Sequence, residues 1–489
     1  MNIILVIIDT LRYDYIRAHG ANDFIQTPNM DRLCADSWVF DNAWLASYPT
    51  IPHRTDTLTG KYGSPFHTWQ PLPWDWLTFP KLLREAGYAT QLIHDTPHLV
   101  NGGHNFDWPY SAWTPIRGAE VDRPWIDARS EWPPNWKKDP LFDFVTDKQL
   151  AGSHILYCYL RANRKRHRPE DWNTAQLFLK ACEFLHDNAT RENFMLHIDS
   201  FDPHEPWDAP EEFMRMYDKT PGYDGTIDPR SFMHGAIRNA ADVPEAALNR
   251  VKAAYAAKVS AVDKWVGALL DTLEETGLAK NTAILLTADH GTNVGEYGRF
   301  GKKAPVREQE GHIPFIVHVP DGGTGRNDMI VQPQDAFATI LGIAGVPMPD
   351  GLGSNDVLAV ARDGKQEPRA VALSGQSADA WCREDRSGPI LFSVFDKQWG
   401  LEWAPRPEDC RLRARDALDD VAAKNEGVVE RLHQAGLDEI ARRGIDPALL
   451  QWLRARGESD CPKDACFFDG YPKPKGWHSY WSNYPKRWD

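Results

Sequence analysis

The sequence predicts an α/β protein: a mostly parallel sheet flanked by helices, followed by a smaller C-terminal subdomain with a short antiparallel sheet. Three observations carry that prediction. Apolar runs at 1–8, 194–198 and 282–287 are each followed closely by an acidic residue, the signature of strands buried on both faces. Helical patterns at 172–186 and 244–275 lie between such runs, and alternating strand and helix builds a parallel sheet covered on both faces. From about residue 370 the pattern changes, and 390–395 with 398–403 reads as a hairpin.

The first run stops abruptly at Asp9, which places a carboxylate at the carboxyl end of a strand, where open α/β sheets bind their ligands. A second strand end lies near His94, and a third at Asp199, leading into Asp202-Pro203-His204-Glu205-Pro206. The run at 282–287 leads through Ala288 to Asp289-His290-Gly291, a carboxylate and an imidazole side by side. Both are ligands suited to a divalent metal ion such as Zn, Mn, Mg or Ca. Between the first and second strand ends stands Thr50-Ile51-Pro52-His53-Arg54. A hydroxyl is a poor nucleophile at neutral pH, and a divalent cation on its oxygen makes attack feasible. Thr50 also reads as a helix N-cap, and the two roles coexist at a helix N-terminus that favours an anion.

These pieces resemble the sulfatases, a family of the alkaline phosphatase superfamily. The resemblance rests on Ile8-Asp9-Thr10-Leu11-Arg12, on Thr27-Pro28-Asn29-Met30-Asp31-Arg32-Leu33 and on the segment from Thr50 to Gly60. It continues through Ala86-Gly87-Tyr88-Ala89-Thr90, Asp202-Pro203-His204-Glu205-Pro206, Asp289-His290-Gly291 and Gly295-Glu296-Tyr297-Gly298 to Gly301-Lys302, all in the family's order. It implies an alkaline-phosphatase-like fold, with Asp9, Thr50, Asp289 and His290 as metal ligands. It further implies Thr50 as nucleophile, Arg54 as the group that holds it or its ester, and His98, His204 and Lys302 as contacts to the non-bridging oxygens.

Three departures bear on the chemistry. Thr50 stands where sulfatases carry a cysteine or serine that becomes formylglycine, and the methyl on its Cβ prevents an aldehyde. An ester on Thr50 must be resolved by water attacking sulfur or phosphorus, which tilts the expectation toward phosphorus. Thr10 replaces a second acidic ligand, and Thr96 replaces the lysine of a Lys-x-His segment whose histidine survives as His98. His312 occupies about the place of a family arginine and reads equally as a site residue or a strand-entry histidine. Asp202 reads as a turn residue, or as a second-metal ligand with His204.

The expected function is therefore a metal-dependent hydrolase of phosphate esters, phosphodiesters or phosphonate esters, acting on a small anionic substrate. The alternatives are a sulfatase, a group transferase and a catalytically silent binding protein. A chain of 489 residues, 42% of them apolar, has ample material for a core, divided here at 1–370 for the catalytic domain and 371–489 for the C-terminal subdomain. A net charge of −14 argues against a nucleic-acid partner. The N-terminal apolar run ends at a ligand rather than a cleavage site, and no run reaches the roughly twenty residues of a spanning helix, so no membrane partner and a cytoplasmic location are expected. Seven cysteines without a Cys-x-x-Cys suggest neither a disulfide framework nor a structural zinc site; Cys461 and Cys466 could pair, but a reduced state is expected. Two Trp- and Tyr-rich segments, 106–136 and 467–488, lack a clear period. They suit anchoring, and the second suits docking on a neighbouring subunit in a homo-oligomer.

Overall fold

The protein is described here as a computed structural model. It describes residues 1–101, 103–124, 138–145, 154–225, 228, 230, 241, 243–364, 368–381, 388–415 and 417–466. The Trp-rich stretch 467–488, and with it the expected subunit contact, lies outside the described residues, as does part of 106–136.

The main sheet contains β1 (Asn2–Ile8), β2 (Trp38–Ala43), β3 (Ala89–His94), β4 (Ala112–Pro115), β5 (Phe194–Ser200), β6 (Thr282–Thr287), β7 (Phe315–His318) and β8 (Gly325–Val331), in the order β8-β2-β7-β6-β1-β5-β3-β4. All neighbours are parallel except β7, which runs antiparallel to both β2 and β6. Every residue of β1, β5 and β6 is buried, as the continuous apolar runs require of strands with helices on both faces. Register then sets the site. Ile7 pairs with Asp199 on one side and Thr287 on the other, so Asp9 and Asp289, two residues further on, leave adjacent strands at one level. His94 pairs with Asp199 and ends β3 at the same edge.

The two expected helices are Asn173–Asp187 and Glu245–Glu275, and they pack on each other over one face. The shorter helix Val357–Asp363 shows how local chemistry fixes an end: Asp356 caps it by accepting from the Ala359 amide at 3.1 Å. Asp356→Ala is expected to cost about 1 kcal/mol, seen as a lower denaturation midpoint at unchanged slope in urea.

The C-terminal sheet holds β9 (Ala372–Ser374), β10 (Phe392–Phe395), β11 (Trp399–Trp403) and β12 (Arg411–Ala414), all antiparallel. The expected hairpin is β10–β11, a residue or two shorter than the sequence suggested. Helices Glu426–Arg442 and Pro447–Arg454 bury it in a second hydrophobic core around Trp403, Leu412 and Leu432. A ring stack joins this sheet to the main one: Tyr13 lies 3.8 Å from His312, His312 4.8 Å from Trp44, and Trp44 4.0 Å from Phe395. His312 also faces the Asp41 carbonyl and Arg415, at 2.9 and 3.0 Å. These contacts are those of a histidine packed between the two sheets at the entry to β7. Cys466 is a free, buried thiol with its Sγ 3.8 Å from that of Cys461, so the two do not bridge.

Candidate active site

Asp9, Asp289 and His290 converge at the carboxyl ends of β1 and β6, with one ligand atom from each lying within 4.8 Å of the others. It is the one such group of metal-binding side chains among the described residues. All three side chains are fully buried. Thr10, read as a lost carboxylate, has a different task here. Its amide donates to Asp289 Oδ1 at 2.9 Å and its hydroxyl to Asp9 Oδ1 at 2.7 Å, which fixes both carboxylates. It does so from the left-handed region at φ 64°, a costly conformation for a β-branched residue.

The residues suit a divalent cation. His290 Nε2 is buried and meets no hydrogen-bond partner among the described residues, and Asp9 Oδ2 meets none beyond its ion contact with Arg54. Burial pushes the His290 imidazole down to about 4, against the pull of Asp289, leaving it neutral with a lone pair on Nε2. Burial and the nearby Asp289 push the Asp9 carboxyl well above its usual range, while His290 and Arg54 hold Asp289 well below its own in spite of burial. The Arg54 guanidinium meets both carboxylates, and a divalent cation beside them would further favour ionisation of Asp9.

Thr50 opens the helix Thr50–Thr59, all of whose residues are buried. Pro49 is the N-cap and no side chain caps the helix, so the capping role expected of Thr50 is absent. One turn on, Arg54 ties this helix to the site. Its Nη1 contacts Asp9 Oδ2 at 3.1 Å, Asp289 Oδ2 and the Thr50 carbonyl at 3.3 Å. Its Nε and Nη2 form a bidentate pair with Asp199 at 3.0 and 2.9 Å. Asp199 in turn accepts from the Thr96 hydroxyl at 2.5 Å. Thr96 therefore orients Asp199, and through it Arg54. Next to Arg54, His53 is fully buried, neither ring nitrogen meets a hydrogen-bond partner among the described residues, and burial pushes it down to about 3.

His98, His204 and Lys302 come together beside this centre. His204 Nε2 contacts Lys302 Nζ, and its ring stacks on Phe201 at 4.1 Å. The His98 ring lies 6.0 Å from the same phenyl ring. Two carboxylates that sequence reasoning did not single out complete the group. Glu120 accepts from His98 Nε2 at 2.5 Å, and Glu205 lies 3.3 Å from Lys302 Nζ. Burial raises Glu120, but His98, His204 and Lys302 outweigh it and bring the carboxyl down to about 2. Burial would lower Lys302, but Glu205, Asp9, Glu120 and Asp289 hold its ammonium above the ordinary value. Asp202 Oδ1 lies 2.7 Å from Lys258 Nζ, and Asp202 is outside the one group of possible metal ligands among the described residues.

Comparison with known proteins agrees with this geometry. A family model described as Sulfatase matches residues 1–346. The chain is 25% identical over 407 residues to the multifunctional alkaline phosphatase superfamily protein PehA of Trinickia caryophylli, covering 74% of this chain and 77% of that one. It is 26% identical over 385 residues to an arylsulfatase of Clostridium perfringens, covering 73% and 78%. In fold it is similar to the phosphonate monoester hydrolase of Agrobacterium radiobacter, with a TM-score of 0.67 at 18% identity over 90% of this chain and 96% of that one. No described helix is long and apolar enough to cross a membrane.

Proposed function

The chain belongs to the sulfatase family, and from that premise we propose that it is a metal-dependent hydrolase of phosphate esters, phosphodiesters or phosphonate esters with Thr50 as its nucleophile. The observation that carries the reading is a threonine, which forms no aldehyde, one helical turn from an arginine that touches both Asp9 and Asp289. Asp9, Asp289 and His290, with the Thr50 hydroxyl, would hold a divalent cation, which supplies Lewis-acid polarisation and favours the deprotonated hydroxyl.

Around it the chain's own groups have distinct tasks. Arg54 holds the turn that carries Thr50 and stabilises negative charge near it. Thr50 Oγ1, its proton passed to solvent, attacks phosphorus in line, forming an O–P bond as the bond to the leaving oxygen breaks. The leaving oxygen takes a proton from the His204 and Lys302 pair, whose heads are in contact, and the pair regains that proton from solvent. His98, oriented by Glu120, faces a non-bridging oxygen. Water then attacks phosphorus and releases Thr50 with its proton restored.

Sulfate-ester hydrolysis is the second reading, favoured by the likeness to an arylsulfatase. The test is turnover of matched aryl sulfate, phosphate monoester, phosphodiester and phosphonate monoester substrates, after chelation and after adding back single divalent metals. Phosphorus-ester turnover that is lost on chelation and restored by one metal is the expected result, together with a lower melting temperature of the chelated protein. Turnover of sulfate alone would replace the phosphorus reading, and turnover unaffected by chelation would remove the metal.

A further inference from the structure

Lys258 lies in the middle of the long helix Glu245–Glu275 and is 2% exposed. A buried ammonium is costly unless its protons find acceptors, and here every contacted oxygen among the described residues comes from one loop. Lys258 Nζ lies 2.7 Å from Asp202 Oδ1 and 3.4 Å from Asp208 Oδ1, and it donates to the carbonyls of His204 at 3.2 Å and Pro206 at 2.5 Å. Three protons thus serve four oxygens spread over residues 202–208. The same loop carries His204, packed on Phe201 on one side and meeting Lys302 at Nε2. The Phe201 amide donates to Asp95 at 2.5 Å, which fixes the loop's other end. Asp95 and Asp202 repel each other, and Lys258 offsets that repulsion at both.

We propose that Lys258 is a positioning residue: acting through loop 201–208, it sets His204 against Lys302 at the reacting end of the pocket. The inference rests on the hydrolase reading given above for the role of His204, but the placement it asserts is independent of the substrate. A lysine that only filled space in the helix packing would draw its acceptors from whichever elements surround it. This one gathers a loop around a single nitrogen, and the backbone oxygen of His204 itself is among the four.

The test compares Lys258→Met, Asp202→Asn and His204→Ala in the full-length protein, using the p-nitrophenyl and phenyl esters of phenylphosphonate. Lys258→Met is expected to lower kcat roughly 10²-fold, the cost of a displacement of about 1 Å at a reacting group, with little change in KM. The loss is expected to be larger for the phenyl ester, whose leaving oxygen needs the proton more. Combined with His204→Ala it should add nothing further. Losses that multiply in the double variant, or a fall in melting temperature with kcat intact, would overturn the proposal. A second readout needs no turnover: the ¹³Cε1 resonance of His204, assigned by its absence in His204→Ala, is expected to move in both other variants. An unmoved resonance overturns the placement. A moved one in a parent that hydrolyses none of the esters keeps the placement and discards the hydrolase reading. Should Lys258→Met not fold, Asp202→Asn, which removes only the negative charge of the shortest side-chain contact, carries both readouts.

Discussion

Thr50→Ala is expected to lower turnover of the preferred ester on the order of 10⁴-fold or more while leaving the fold intact, and Thr50→Ser to retain most of it. Removing a covalent nucleophile costs a large part of the catalysed rate, because the other groups of the site act through the bond it forms. The fold should tolerate the change. The Thr50 side chain does not cap its helix, and alanine has a better helix propensity than threonine. Serine restores the hydroxyl without the methyl, so activity in Thr50→Ser with none in Thr50→Ala assigns the chemistry to the oxygen. The measurement is single-turnover kinetics at saturating metal, with circular dichroism melts of all three proteins. Equal rates in Thr50→Ala and the parent would mean that another group, or water, attacks the ester directly.

How far the site was legible follows from where each residue sits. Asp9, Asp289 and His290 were readable because each follows an apolar run, and a parallel sheet delivers the ends of adjacent runs to one edge. Strands β2 and β8 were not, because they lie toward an edge of the sheet and carry polar residues: Gly325–Val331 alternates partly exposed with exposed positions over its first half. The antiparallel β7, inserted between β2 and β6, is four residues long and offers too short a run to be recognised. Asp199 was visible as a strand-end acid, but its bidentate partner Arg54 is 145 positions away and no local pattern links them. Glu120 and Glu205 escaped for a related reason. Their role is to pair with cations of the pocket, and a sequence displays the cations without showing which acids reach them. The one usable signal was that a buried histidine and a buried lysine need acceptors. Thr10 and Thr96 were read as losses of charge, whereas each spends its hydroxyl on a neighbouring carboxylate. At both positions a small hydroxyl orients a carboxylate of the site.

Arg54→Ala should be among the most destabilising single substitutions in this protein. The side chain is completely buried and touches Asp9, Asp199 and Asp289. Removing it strands three buried carboxylates, and breaking a buried pair from one side costs about 3–5 kcal/mol, a large part of a total stability of roughly 5–15 kcal/mol. Lysine is a poor substitute, since one ammonium cannot make the bidentate pair with Asp199 while also reaching the other two. The pH dependence separates this electrostatic cause from simple loss of packing. In the parent, burial would raise Asp199, but Arg54 and then His197 and Thr96 hold its carboxyl below the ordinary value. A depressed carboxyl contributes stability that is present above the unfolded value of about 4 and lost as pH falls through the folded one. Without the guanidinium, burial dominates and the carboxyl moves above its unfolded value. Its contribution then changes sign: stability is highest where the acid is protonated and falls as pH rises through the raised value. Between pH about 5 and about 8, in EDTA, Asp199 stays ionised in the parent and contributes no shift in melting temperature, whereas the variant's melting temperature should fall as pH rises, so the variant gains on the parent at the lower pH. Asp199→Asn combined with Arg54→Ala should recover part of the loss, because it removes one of the stranded charges. A constant gap between variant and parent at both pH values, with no recovery in the double variant, would show that Arg54 stabilises the fold by packing and not as the counter-charge of the site.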